Sequence, residues 1–127
     1  MVMTEQSRDG LIDLGLRLHE RIVDTITGRY IQGPVPDTAE QDARRFFESK
    51  IRYLSARSDD IPEDEIKDCR GALRAADRGD WEPARRAILR SCRRFLEADD
   101  EELDETAIAF ANLANSLPEN PQGGAAA

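Results

Sequence analysis

The stretch RGDWEPARRAILRSCRR, residues 78–94, decides how this 127-residue chain folds. Gly79 is a natural left-handed stop for a helix arriving from its N-terminal side, and Asp80 reads as the cap of the helix that leaves. Pro83 is tolerated in the first turn of that helix, where backbone N–H groups have no helical partner. At 100° per residue, Trp81, Ala84, Ile88, Cys92 and Phe95 fall on one side, while Arg86, Arg90, Arg93 and Arg94 fall on the other. The preceding segment sorts the same way. Ile66, Cys69, Leu73 and Ala76 face inward, and Lys67, Arg70, Arg74 and Arg78 form a separate ridge. The stretch is thus the turn and second arm of a helical hairpin with an arginine-rich outer surface.

Outward from this hairpin, the chain reads as five helices with no sustained strand-like alternation. The first spans Ser7 to Thr27 and stops at Gly28; the connector GRYIQGPVP cannot continue it. Asp37, with Glu40 three residues on, caps a second helix running to Arg57, and Asp60 with Glu63 repeats that signature for the third. Asp99 or Asp100 caps the fifth, which ends near Leu117 before Pro118. Short connections make helices three, four and five antiparallel neighbours. The expected fold is all-α, a compact bundle of about five helices. Residues 1–117 form the single domain, and residues 118–127, PENPQGGAAA, form a disordered tail. The turn GDWEPARRAI resembles the turn and second-helix start of a tetratricopeptide repeat, through Gly79, Trp81 and Ala84. The likeness covers one hairpin. The preceding helix has Asp68, Ala72 and Ala75 where that repeat's aromatic and glycine positions fall, and a generic helix–turn–helix accounts for the turn equally well.

Composition narrows the function classes. There are 26 acidic and 18 basic residues, a formal net charge of −8, so phosphate backbones and anionic membranes are disfavoured partners. Only Lys50 and Lys67 are lysine; heavy use of Arg, Ala and Asp suggests a GC-rich bacterial genome. The opening MVMTEQSRDG lacks a basic segment followed by an apolar run, and no apolar run approaches the ~20 residues that span a bilayer. The expected location is the cytoplasm. Cys69 and Cys92 are too few and too far apart for a zinc or redox motif. Both face inward at similar distances from the Gly79 turn, which makes them neighbouring free thiols. No metal and no cofactor are expected.

Several polar residues stand where apolar ones belong. His19, the only histidine, lies within the wide apolar arc of helix one, made by Leu11, Ile12, Leu14, Gly15, Leu16, Leu18, Ile22, Val23 and Ile26. Imidazole titrates near neutrality, so a catalytic or phospho-accepting role is one reading. The ERIVD that follows lacks the Lys-Gly pair usual in histidine phosphotransfer domains. The other reading is a contact residue hydrogen-bonded to a carboxylate. Lys50, among Phe46, Phe47, Ile51, Tyr53 and Leu54, reads as a snorkelling stem, with a desolvated nucleophile as the alternative. Arg85 sits at the edge of its helix's apolar side, near Leu89, Cys92 and Leu96, either reaching out to water or paired with an inward Asp.

On helix five, Leu103, Ala107, Phe110, Leu113, Ala114 and Leu117 form the core stripe. The other side, Ile108, Ala111, Asn112 and Asn115, carries no charge. It marks either a candidate interface, including one with a second copy, or a helix buried on both sides, and the wide arc of helix one likewise buries against two neighbours or against another subunit. The arginine ridge is read either as an anion- or partner-binding surface, since Arg grips carboxylates bidentately, or as a solvated face neutralised by EADDEELDE. No aromatic residue is interleaved with those arginines to stack a base. The expected function is a small non-enzymatic protein-interaction module, an adaptor, regulator or assembly subunit working through helix faces. The rivals are a histidine-centred enzyme or phosphotransfer protein, and an anion or nucleic-acid binder.

Overall fold

The hairpin turn takes the expected form, with Gly79 at φ +82° in the left-handed region. The Gly79 N–H bonds to the Ala76 carbonyl at 2.9 Å, and the Asp80 N–H to the Ala75 carbonyl at 2.9 Å, the paired bonds of a Schellman stop. A computed structural model describes residues 5–56, 61–98 and 100–119, without the side chains of residues 5–13 and 102. Among these residues the chain forms five helices and no strand: α1 (Glu5–Tyr30), α2 (Pro36–Ser55), α3 (Glu63–Asp77), α4 (Glu82–Glu97) and α5 (Glu101–Ser116). Each helix packs on the next, and α5 returns to α1, so the bundle closes as a ring with α5 also touching α2. The all-α bundle is as expected. Residues 120–127, most of the expected tail, lie outside the described residues.

The helix ends depart from the sequence reading in instructive ways. Helix α1 passes through Gly28 and ends at Tyr30. Tyr30 is fully buried, and its hydroxyl is hydrogen-bonded inside the bundle, so tertiary anchoring outweighs the weak helix propensity of one glycine. Helix α2 starts at Pro36, with Val35 in the cap position and no side-chain cap; Asp37 lies in the first turn instead. Proline supplies the helical φ there and lacks only a donor that would be unpaired anyway. Helix α3 opens at Glu63 after Pro62, and Asp60 lies outside the described residues. Trp81 occupies the α4 cap position. Asp80, one residue earlier, still accepts the Glu82 N–H at 3.2 Å. Helix α5 begins directly after Asp100; Asp99 is outside the described residues.

The core is built from few large residues and many alanines. Phe46 and Phe95 meet Phe110 edge-to-face at 5.1 and 5.2 Å, with Phe46 also against Phe47 at 5.3 Å. Ile26, Tyr30, Trp81, Ile88 and Leu113 complete it, and Ala39, Ala43, Ala84, Ala109 and Ala114 sit buried among them. Small residues let the helix axes approach, so each large ring meets neighbours on several sides. Truncating a residue like Phe110 therefore costs about 3–5 kcal/mol. Gly15 serves the same purpose on α1: a Cβ there would lie 3.3 Å from the Tyr53 Cα, so α1 and α2 cross closely at that point.

Candidate functional site

The polar groups inside the bundle are tied into structure. His19 lies on the face of α1 that meets α2, its ring 5.4 Å from Phe46 and stacked 6.1 Å from Tyr53. Its Nδ1 is 2.9 Å from the Ser49 hydroxyl. That hydroxyl donates its only proton to the Phe46 carbonyl at 3.0 Å, so His19 Nδ1–H is the donor to Ser49. Burial, followed by the charge of Lys50, pushes the imidazole down to about 4. The partner is thus a serine hydroxyl, where the sequence reading allowed a carboxylate. A neutral ring suits this place because Lys50 faces it.

Arg85 is likewise structural. Its Nη1 pairs with Glu82 at 2.6 Å, its Nη2 donates to the Leu117 and Pro118 carbonyls at 2.9 and 3.0 Å, and its Nε donates to the Ala114 carbonyl at 3.3 Å. The last carbonyls of a helix lack internal partners and carry negative dipole charge. Helix α5 has no basic residue in its last turn, so Arg85 on α4 supplies the missing cation and donors. The expected alternatives, an outward reach or an inward Asp, are both replaced by this capping role.

A third polar cluster went unremarked in the sequence. Asp42, 3% exposed, accepts Arg29 Nη1 at 2.7 and 2.8 Å and the Tyr30 hydroxyl at 2.7 Å; that hydroxyl is also 2.9 Å from Thr38. Burial first, with Asp42 adding and Thr38 opposing, pushes the Tyr30 phenol up to about 12, and the Asp42 hydrogen bond raises Arg29. The cluster staples the C-terminus of α1 to the start of α2. One sequence signal existed for it: Asp42 lies one turn from Ala39 and Phe46, on the buried face of α2.

Helix α5 is buried on two sides. Asn112 donates to the Tyr30 carbonyl at 2.7 Å, and Ser116 joins the Asn112 carbonyl at 2.6 Å to the Val35 N–H at 2.9 Å. Ala111 is half-buried beside them. Of the four residues on the uncharged side, only Ile108, 52% exposed, and Asn115 face solvent. The two cysteines are free. Cys92 donates to the Ala107 carbonyl at 3.1 Å, and burial raises both thiols. Lys50 is half-buried with its Nζ 5.7 Å from the Phe46 ring centroid, lining a narrow cavity of about 40 Å³ with Glu65, Asp68, Cys69, Arg90 and Ser91. That space holds little more than water.

The outer surface of the hairpin is different. Arg70, Arg74, Arg78, Arg86, Arg90, Arg93 and Arg94 are all exposed. Arg74, Arg78, Arg86 and Arg90 converge with Lys67 on one groove of about 430 Å³ along the α3–α4 seam. Its floor is made of small residues, Gly71, Ala72 and Ala75, and Asp68, Asp80 and Pro83 also line it. Arg70 stands in the adjoining concavity with Lys67 and Arg74; Arg93 lies outside both. Arg94 pairs with Glu65 at 2.6 Å and Arg86 with Glu82 at 3.4 Å. Among the described residues, Lys67, Arg70, Arg74, Arg78, Arg90 and Arg93 have no carboxylate within ion-pair distance.

Part of the α1 arc is left uncovered. Leu14 and Leu18, expected in the apolar arc of α1, are 65% and 37% exposed. The arc is wider than the contacts with α2 and α5 can cover, and these two leucines lie beyond them. With Gly15, Arg17, Arg21, Arg52, Ser55 and Ala56 they line a second groove of about 550 Å³.

Fold and surface together define a class: an all-α bundle whose buried side-chain nitrogen and oxygen atoms all find hydrogen-bond partners among the described residues, with grooves on its helix faces. No family model, curated protein or solved structure matches this chain, so its functional reading rests on its own residues. Among the described residues no group of three or more His, Cys, Asp or Glu is placed to hold a metal ion. Nor is any described helix long and apolar enough to cross a membrane.

Proposed function

We propose that this chain is a non-enzymatic protein-interaction module that holds an acidic segment of another protein in the groove between α3 and α4. The observation that carries the reading is the set of unpaired guanidinium groups around that groove, in a chain whose acidic residues outnumber its basic ones 26 to 18. With carboxylates in such excess, a mixed surface would leave few cations without a partner. A segment rich in Asp and Glu offers the planar carboxylates that Arg grips bidentately.

Nucleic acid fits the groove less well. Among the described residues no aromatic side chain lines the groove or the adjoining concavity to stack a base, and the whole chain repels phosphate at −8. A phosphotransfer role for His19 is disfavoured by a ring held against Phe46 and Tyr53 with one nitrogen bonded to Ser49.

Fluorescence anisotropy tests the proposal with a labelled poly-glutamate peptide and a labelled DNA duplex of similar charge, over a salt series. The peptide should bind, and Arg74→Glu with Arg78→Glu should weaken it at least roughly tenfold, the 1.4 kcal/mol scale of one charged hydrogen bond. Duplex binding as tight as peptide binding would sink the proposal, as would a charge-reversed variant that binds the peptide unchanged.

A further inference from the structure

The basic groove does not end at α3. The concavity holding Arg70 shares Lys67 and Arg74 with it, and shares Ser55 with the leucine-lined groove on α1 and α2. Three depressions of about 550, 500 and 430 Å³ therefore follow one another around the bundle. Their chemistry grades along the series. The first offers Leu14, Leu18 and Ala56 with Arg17, Arg21 and Arg52; the second offers Ile61 and Ile66 with Lys67, Arg70 and one carboxylate, Glu63; the third has five cations against Asp68 and Asp80, over a floor of small residues.

We infer that the three depressions form one track, and that its occupant is an acidic amphipathic segment of a partner protein, anchored by apolar side chains on Leu14 and Leu18. This rests on the reading of the α3–α4 groove as an acidic-segment site and specifies the partner further. Leu14 and Leu18 lie one helical turn apart on a single face of α1, the spacing that receives the apolar stripe of an amphipathic helix. Gly15 keeps α1 close over Tyr53, so the leucines form a shelf above the end of α2. The guanidiniums around that shelf decide the polar half of the occupant. A purely apolar segment would cover Arg21 and Arg52 without giving them carboxylates, which costs more than the contact returns. A second copy is a poor occupant, because a two-fold contact centred here would set the same basic rim against itself. An anionic bilayer meets an acidic protein with only two exposed leucines at this site.

The test uses three labelled synthetic peptides of equal glutamate content: one with leucines at i, i+4 and i+7, one with those leucines scrambled, and one with serines in their place. Protein variants are Leu14→Ser with Leu18→Ser, and Arg74→Glu with Arg78→Glu; all four positions are exposed, so the fold is retained. The amphipathic peptide should bind wild type roughly tenfold tighter than the other two, as expected for covering two leucines. The leucine variant should erase that advantage and leave the serine peptide's affinity unchanged, whereas the arginine variant should weaken all three. Equal affinity of the three peptides overturns the inference while leaving the acidic-segment reading intact. Absence of binding by all three overturns both. Two further results overturn the inference alone: a dimer in sedimentation that the leucine variant converts to monomer, and leucine-dependent cosedimentation with phosphatidylserine–phosphatidylcholine vesicles.

Discussion

Because His19 is held neutral between Phe46, Tyr53 and Lys50, it makes stability depend on pH in a calculable way. Its folded value is about 4 against 6.5 for the free side chain. The unfolded chain therefore binds the extra proton more readily, and stability falls as pH drops from the unfolded value towards the folded one. Integrating between these two values, the loss from neutrality to about pH 5 has a ceiling of about 2 kcal/mol from this one side chain. Nδ1 already carries the proton given to Ser49, so the added proton must go on Nε2, and burial beside Lys50 is what opposes it. Urea unfolding of wild type and His19→Gln, repeated from about pH 7 to pH 4.5, isolates the contribution, because carboxylate protonation is common to both proteins. The wild-type curve should fall more steeply, with the difference between the two growing through this window. Parallel curves, or an NMR titration placing the ring near 6.5, would refute the reasoning.

Two further substitutions examine the helix-joining polar groups. Arg85→Ala should cost about 2 kcal/mol, because it strips the α5 terminus of its only described cationic cap and leaves Glu82 without one partner. Arg85→Lys should recover less than half, since one ammonium cannot reach Ala114, Leu117 and Glu82 together; full recovery in urea unfolding would contradict the capping role. At the α1–α2 staple, Arg29→Ala should cost about 3 kcal/mol by stranding the buried Asp42 carboxylate, and Asp42→Asn about half as much. The asymmetry arises because Arg29, 38% exposed, regains water when its partner is neutral. Unfolding curves giving the opposite order would show that the pair is not desolvated on the Asp42 side.

The sequence made the helices legible because their periodicity is strong, and the Gly79 turn because only a left-handed residue closes a Schellman stop. The other ends were less legible, for a physical reason. Val35, Pro62 and Trp81 occupy cap positions with no side-chain cap, so the chain closes those ends through backbone and tertiary contacts that spacing does not encode. Gly28 fails as a stop because Tyr30, two residues on, is held from outside the helix by Thr38 and Asp42. The site was half legible. Facial sorting alone placed the arginines outward, but their convergence depends on how α3 and α4 lie side by side. The role of Arg85 depends on where α5 ends, 29 to 33 residues away in sequence, and no local pattern reports that. Leu14 and Leu18 could be placed in the apolar arc of α1 but not on its covered or uncovered part, because such an arc says nothing about how many neighbours will come to cover it.

Arginine usage divides by task once the pairs are located. Arg29 joins α1 to α2, Arg44 joins α2 to Asp77 on α3 at 2.7 Å, Arg94 joins α4 to α3, and Arg85 joins α4 to the end of α5. Each links a helix to its neighbour around the ring, and Arg44 also lies over Trp81 at 5.4 Å. These residues hold elements together, although exposed pairs such as Arg44–Asp77 contribute at most about 1 kcal/mol each. Arg70, Arg74, Arg78 and Arg90 join nothing among the described residues, yet they stand on one continuous surface. Like charges so placed repel one another, a cost the fold does not need to bear for its own stability. Neutralising them would relieve that repulsion without breaking an internal contact. Their clustering in an acidic chain is therefore better explained by a ligand that offsets the repulsion on binding than by any demand of folding, and the carboxylates such a ligand must carry are what the leucine shelf at the other end of the track leaves room for.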